Sequence, residues 1–302
     1  MKQEILLHVE HLQKTYGKHV VLDDINMAIR RGDIYGFVGK NGEGKTTLIR
    51  ILSGLSFASG GEFSLFGVSS KTSGIVKARK KICAMVESPA VIPDLTARQN
   101  MKVQCNILGK SYDCIDEYLA YVGLNDTGNK KVKNFSLGMR QRLAIAIALI
   151  GEPEIMLLDE PTNGLDPAGI RQIRELLLKL NREKKITMLV SSHILSELGM
   201  LATTFGFISG GRIVKEATKE EIQEATAEKC YLESDDISKA KVLLEGMDYQ
   251  VSEEKEGLRV LSEVDLMEVC RIFAKNGIRL TKHVPDRMDL EEYFMEQIGG
   301  NK

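Results

Sequence analysis

The sequence predicts an α/β fold with an antiparallel β subdomain, a helical insertion and a small α+β domain at the C-terminal end. Three observations carry this expectation. A glycine-rich loop, Gly39-Lys40-Asn41-Gly42-Glu43-Gly44-Lys45-Thr46, stands between an apolar run, Ile34 to Val38, and a helical pattern, Thr47 to Leu52. A further apolar run, from Ile155 to the carboxylate Asp159, lacks alternation, as strands of a parallel sheet buried on both faces do, and Ile186 to Ser191 reads as another strand. Before and after this core the period changes: Leu6 to Leu12 and Val20 to Ile29 alternate apolar and polar residues, and short strand and helix patterns follow Lys215.

Length and composition set outer limits. The 302 residues suffice for two domains, and an apolar share of 43% supplies a core. The formal net charge of -1, with no dense Lys/Arg block, gives no electrostatic case for nucleic acid. The five cysteines are odd in number, scattered and without C-x-x-C spacing, which suits a reducing compartment rather than a disulfide frame or a zinc site. Charges among Met1 to Leu12 speak against a secretory signal, and no apolar run approaches the roughly 20 residues needed to span a bilayer, so a membrane role is expected to come through a partner.

In chain order, the first two alternating segments read as antiparallel strands around a turn at Tyr16-Gly17. By itself Tyr16 is a packed turn tyrosine, although an aromatic ahead of the glycine-rich loop could stack on a base. The loop itself carries a mechanism. Its glycines let backbone N–H groups point inward at the positive end of the following helix, where phosphate oxygens fit; Lys45 then reaches the β- and γ-phosphates, and the Thr46 hydroxyl holds Mg²⁺. The helix ends at Gly54, and Phe57 to Phe66, with Gly60-Gly61, reads as a turn and strand. The stretch from 71 to about 150 reads as a helical insertion, with helical spacing at Arg98 to Leu108 and Ile115 to Val122.

Phe135-Ser136-Leu137-Gly138-Met139 leads into a helix, Arg140 to Ile150, that is apolar on every side and therefore buried. Ser136 sits at its N-cap, and a serine and a glycine at a helix mouth also suit an anion. The strand from Ile155 ends in Asp159 and Glu160, at the edge where parallel sheets bind ligands. Asp159 suits Mg²⁺, and Glu160 is placed to polarise a water attacking a γ-phosphate. Adjacent acids on a strand face opposite ways, so the two can divide these roles only if the strand is already ending. A turn, Asn163 to Pro167, and a helix from Ala168 follow, and the next strand delivers His193 to the same edge, suited to a γ-phosphate contact.

Together these stretches resemble the nucleotide-binding subunit of an ATP-binding cassette (ABC) transporter, over roughly residues 4 to 220. The resemblance implies a P-loop NTPase cassette that hydrolyses ATP with Mg²⁺. It makes Tyr16 the adenine-stacking aromatic and Gly39 to Thr46 the Walker A loop, with Gly39, Asn41, Gly42, Gly44, Lys45, Thr46 and Thr47 around the nucleotide. It makes Ser136, Gly138 and Met139 part of the signature sequence, Ile155 to Asp159 Walker B, Glu160 the catalytic glutamate, Asp166 a D-loop residue and His193 the switch histidine. It further implies a head-to-tail homodimer or heterodimer, in which the signature of one subunit closes over ATP held by another. A transmembrane permease subunit is implied as partner, with the chain cytoplasmic and peripheral on the inner face of the membrane.

Four positions depart from the family pattern. Glu87 stands where the Q-loop glutamine is usual, a carboxylate that can ligate Mg²⁺ but adds negative charge. Met139 replaces the common signature glutamine, Lys40 replaces a frequent proline, and Leu201 to Thr204 lacks an aspartate often found there. Glu87 and the run Ser136 to Leu143 are similar to the subgroup that exports, or confers immunity to, bacitracin and lantibiotic peptides. That likeness implies export of a peptide antibiotic or related amphiphile. A soluble cassette ATPase working as a clamp on ribosomes or DNA is the alternative. The domains are expected at 1–215 and 216–302, and the second reads as β-α-β-β-α-β, a ferredoxin-like order, with a final helix Leu290 to Ile298.

Overall fold

In the computed structural model the alternating opening segment forms a hairpin of β1 (Ile5–Tyr16) and β2 (His19–Arg30), turning at Gly17. The structure describes residues 4–299 apart from 88, 227–228, 256, 263 and 287–289. The apolar run that follows is β3 (Ile34–Val38), buried along its whole length, and the glycine-rich loop delivers the chain to α1 (Lys45–Ser53). Gly54 closes α1 in the left-handed conformation at φ 91°, the usual role of glycine past a helix end. Strands β4 (Gly60–Leu65) and β5 (Val68–Ser69) complete an antiparallel sheet ordered β2-β1-β4-β5. Gly60-Gly61, expected at a turn, lies inside β4 instead. Gly61 faces the bulge of β1 at His11, where a Cβ would come within 2.1 Å of the His11 carbonyl oxygen, so only glycine fits.

The stretch expected to be a helical insertion is not helical throughout. It holds α2 (Ile75–Arg79), then β6 (Ile82–Met85), then α3 (Ala97–Leu108) and α4 (Cys114–Tyr121). β6 is too short and only half-buried to show a period, yet it pairs with β7 (Ile155–Asp159) as the edge of the main sheet. α3 starts in a capping box: the Thr96 hydroxyl accepts the Gln99 N–H, and the Gln99 side chain accepts the Thr96 N–H. The apolar helix is α5 (Leu137–Leu149), with Leu143, Ala144, Ile145, Ala146, Ala148 and Leu149 buried.

α6 (Pro167–Lys184) is amphipathic, burying Ile173, Leu176, Leu177 and Leu180, and returns the chain to β8 (Thr187–Ser192). Short α7 (Leu195–Leu201) leads to β9 (Thr204–Ser209) and β10 (Arg212–Thr218). The main sheet is ordered β10-β9-β3-β8-β7-β6, parallel from β9 to β6, with β10 antiparallel at its edge. One apolar cluster joins the antiparallel sheet to this sheet through α1, from Leu7, Leu22 and Phe63 through Ile49 to Phe37 and Leu189. These elements form one compact unit, Met1–Thr218. Among the described residues no helix is long and apolar enough to cross a membrane.

The second unit, Lys219–Lys302, opens with α8 (Lys219–Ala225). It continues through β11 (Lys229–Ser234), α9 (Ile237–Glu245), β12 (Val251–Glu254), β13 (Gly257–Val260), α10 (Leu266–Lys275), β14 (Leu280–Asp286) and α11 (Leu290–Gly299). The sheet order β12-β13-β11-β14, antiparallel throughout, is that of a ferredoxin-like α+β unit. Its own core includes Leu232, Leu244, Leu258, Val269 and Phe273.

Within the first unit one packing detail fixes the edge of the main sheet. The Tyr35 side chain of β3 crosses β9 at Gly206 and donates its hydroxyl proton to Glu216 Oε1 at 2.5 Å, on β10 opposite Gly206. Burial, and then the Glu216 carboxylate, hold the Tyr35 phenol well above its usual range, so it keeps the proton it donates. A Cβ at Gly206 would meet the Tyr35 hydroxyl at 2.1 Å. Gly206→Ala is therefore expected to destabilise the unit by about 1–3 kcal/mol, and Tyr35→Phe by about 1 kcal/mol. Thermal or denaturant unfolding reads both, and a neutral Gly206→Ala would contradict this packing.

Candidate active site

Three parallel strands, β3, β8 and β7, end side by side, and their register sets what meets there. Val38 pairs with Ser192, and Ser191 pairs with Asp159. The glycine-rich loop leaves β3 with Gly42 at φ 89° and Gly44 at φ 100°. Gly44 is also cramped: a Cβ there would meet Leu22 Cδ2 at 2.5 Å and the Val21 carbonyl oxygen at 2.8 Å. Gly39 is buried against Ile208, while Asn41 and Gly42 are exposed and Thr47 is half-buried. α1 begins with no side-chain cap and no acidic residue in its first turn, so its free N–H groups and positive dipole end face the loop unopposed.

Lys45 is 5% exposed. Its ammonium donates to the carbonyls of Gly39 at 2.7 Å and Lys40 at 3.0 Å, and lies 3.5 Å from Glu160 Oε1. A buried cation held mainly by carbonyls of the loop itself matches an incoming anion. The Thr46 hydroxyl donates to Asp159 Oδ2 at 2.7 Å, so the loop and the strand carboxylate are joined directly.

The two adjacent acids do not face opposite sides of a continuing strand, because β7 stops at Asp159. Glu160 takes φ 48°, a left-handed backbone rare for a residue other than glycine. Its N–H donates to the Ser191 carbonyl at 3.2 Å and to the Ser191 hydroxyl at 3.0 Å. Glu160 Oε2 lies 2.7 Å from His193 Nδ1. Glu160 Oε1 is buried and has no hydrogen-bond partner among the described residues. The structure thus brings Lys45, Thr46, Asp159, Glu160 and His193 into one connected group.

Other expected residues lie apart from that group. Ser136 caps α5 by accepting the Met139 N–H at 3.2 Å, and Asp166 caps α6 by accepting the Gly169 N–H at 3.1 Å. The two caps line one groove with Gly138, Gly164 and Leu165. Tyr16 is half exposed at the end of β1, with the Lys14 ammonium 4.6 Å from its ring centre and donating to the Phe57 carbonyl at 2.7 Å. Glu87, expected beside a metal, pairs instead with the Arg50 guanidinium at 2.5 Å, and takes φ 64°. Among the described residues no hydrogen bond or ion pair joins Glu87 to Thr46 or Asp159.

Two participants escape motif reading. Ser191 reads in the sequence only as the end of a strand, and the β7–β8 register is what brings it to the carboxylates. Glu43 accepts the Gly210 N–H at 2.6 Å, which ties the loop to the β9–β10 turn. An acid inside a phosphate loop is a visible oddity, but its partner lies 167 residues away.

The donor set suits Mg²⁺. Thr46 and Asp159 offer hard oxygen ligands, and among the described residues no group of three or more His, Cys, Asp or Glu gathers into a cage of its own. Mg²⁺ is ordinarily held by one or two carboxylates together with substrate phosphates.

The family model described as ABC transporter matches residues 22–163. The chain is 38% identical over 305 residues to the bacitracin transport ATP-binding protein BcrA of Bacillus licheniformis, covering 98% of each. It is 42% identical over 211 residues to the lantibiotic transport ATP-binding protein SrtF of Streptococcus pyogenes, 70% of this chain and 90% of that one. A similar solved structure is the ATP-binding cassette MJ0796, a dimer in a post-hydrolysis state bound to ADP and Pi. It has a TM-score of 0.63 at 27% identity, over 71% of this chain and 99% of that one. The chain belongs to the ABC transporter family, as an ATP-hydrolysing subunit.

Proposed function

We propose that this subunit powers export of a peptide antibiotic of the bacitracin or lantibiotic kind, or a related amphiphile, through a separate membrane subunit. The likeness to the bacitracin transport protein carries this reading, because it extends over 98% of both chains and so includes the second unit as well as the cassette. A surface suited to a membrane partner supports it. An apolar groove of about 330 Å³, lined by Leu55, Met85, Val86, Ala90 and Ile147, opens between β6 and α5. Leu55 and, near it in sequence, Phe57 are 69% and 85% exposed. The clamp alternative has no observation in its favour.

In the proposed reaction the loop glycines and the N-terminus of α1 receive the phosphates, and Lys45 exchanges its loop carbonyls for β- and γ-phosphate oxygens. Thr46 and Asp159 would hold Mg²⁺, which when bound would neutralise charge on the phosphates. Glu160 polarises the attacking water. Its Oε1 is the open acceptor, whereas Oε2 is held by His193, which orients the carboxylate and faces the γ-phosphate. Tyr16 stacks on the adenine. Ser136, Gly138, Met139 and Asp166 lie at the mouths of α5 and α6, placed to meet nucleotide bound by a second nucleotide-binding subunit. In this reading the working form is a homodimer or heterodimer, as the family resemblance implies; the similar cassette MJ0796 was itself solved as a dimer. Reaching the metal would require Glu87 to give up Arg50.

Glu160→Gln is expected to lower steady-state ATP turnover about 100-fold or more while nucleotide still binds. Turnover within a few-fold of the unaltered protein would sink the assignment. Lys45→Ala is expected to abolish both ATP binding and turnover. Equilibrium binding of a fluorescent ATP analogue checks this, and unchanged affinity would remove Lys45 from the phosphate site.

A further inference from the structure

The two carboxylates at the end of β7 meet through one side chain. Ser191 has no exposed surface. Its hydroxyl oxygen accepts the Glu160 N–H at 3.0 Å and lies 2.7 Å from Asp159 Oδ1. A hydroxyl carries one proton. A backbone N–H can only donate and an ionised carboxylate can only accept, so the Ser191 proton points to Asp159 and its lone pair to Glu160.

Two consequences follow for the reacting groups. Asp159 is gripped on Oδ1 from β8, which leaves Oδ2 turned to the Thr46 hydroxyl at 2.7 Å. Glu160, meanwhile, is held in its left-handed backbone by a peptide N–H shared between the Ser191 carbonyl and hydroxyl. The chain of contacts runs Thr46, Asp159, Ser191, Glu160, His193, with Ser191 as the link between the metal-facing and water-facing halves.

We propose that Ser191 is a positioning residue that couples these halves: it fixes which oxygen of Asp159 faces Thr46, and it holds the turn that presents Glu160. This rests on the assignment of Asp159 to Mg²⁺ and of Glu160 to the attacking water. Ser192 supplies the contrast. It is almost as buried, at 3% exposure, but among the described residues its hydroxyl bonds only the backbone of Ile194. If burial and packing were all that mattered, the two serines would respond alike to loss of the hydroxyl.

The test uses the full chain and the variants Ser191→Ala, Ser191→Cys, Ser192→Ala and Asp159→Asn. Affinity for a fluorescent ATP analogue is measured in EDTA and again with Mg²⁺, beside steady-state ATP turnover. Loss of an outer-shell partner of a metal ligand typically costs about 10–100-fold in metal affinity or activity. Ser191→Ala is therefore expected to keep its Mg²⁺-free affinity within about twofold and to lose about tenfold or more of the gain that Mg²⁺ gives, with kcat falling by a similar factor. Ser192→Ala keeps the Mg²⁺ gain. Should Ser191→Ala not fold, Ser191→Cys, which keeps the volume with a poor donor, reads the same quantity. A Mg²⁺ gain and kcat within about twofold of the unaltered protein in the Ser191 variants would overturn the proposal, as would an equal loss in Ser192→Ala. If Asp159→Asn keeps the Mg²⁺ gain, the metal assignment fails and takes this inference with it. If Asp159→Asn loses the gain and the Ser191 variants do not, only the role of Ser191 is rejected.

Discussion

The register of β7 against β8 decides which side chains meet at the end of the main sheet. Pairing Asp159 with Ser191 places a hydroxyl between the last residue of one strand and the first residue beyond it. A strand alternates its side chains, so two consecutive acids cannot share one site while the strand continues. The conflict is resolved by ending β7 at Asp159 and turning Glu160 into the left-handed region, at a conformational cost of about 1–3 kcal/mol that the surrounding contacts must offset. A one-residue slip would put Val190 or Ser192 opposite Asp159 and remove the link. β7 and β8 are buried along their whole length, and packing of their apolar residues, Ile155 to Leu158 and Met188 to Val190, holds the register in place.

Electrostatics explain why the site is poised for a phosphate. Lys45 is buried, and among the described residues it has no close carboxylate hydrogen bond; the anionic atom nearest to it there is Glu160 Oε1 at 3.5 Å, itself without a hydrogen-bond partner. Buried charges left with loose partners cost stability unless a ligand completes them. In the proposed reaction an anion seated at the N-terminus of α1 would supply a partner for Lys45, and a water one for Glu160. The Glu87–Arg50 pair is the opposite case, a solvent-exposed ion pair of the kind that contributes about 0–1 kcal/mol and can be exchanged readily.

Much of this was legible in the sequence because the physics involved is local. A glycine-rich loop between an apolar run and a helix, and buried strands ending in acids or a histidine, need only neighbouring residues to be recognised, and Lys45, Thr46, Asp159, Glu160 and His193 do meet. What escaped depends on contacts distant in sequence. Gly60-Gly61 has the look of a turn, but serves a bulge some 50 residues earlier. β6 is four residues long and takes its identity from pairing with β7. The left-handed turn at Glu160 has no glycine to announce it, and the contact of Glu87 with Arg50 depends on where α1 lies beside the following loop.

The central claim is that Asp159 and Glu160, adjacent in sequence, do different work: one holds the metal and the other acts on water. Replacing each with cysteine separates the roles, because a thiolate binds soft cations far better than Mg²⁺. ATP turnover by Asp159→Cys and Glu160→Cys, assayed with Mg²⁺ and then with Cd²⁺, is the most direct measurement. The account predicts that Cd²⁺ restores activity to Asp159→Cys and leaves Glu160→Cys inactive; rescue at Glu160 with none at Asp159 would contradict it.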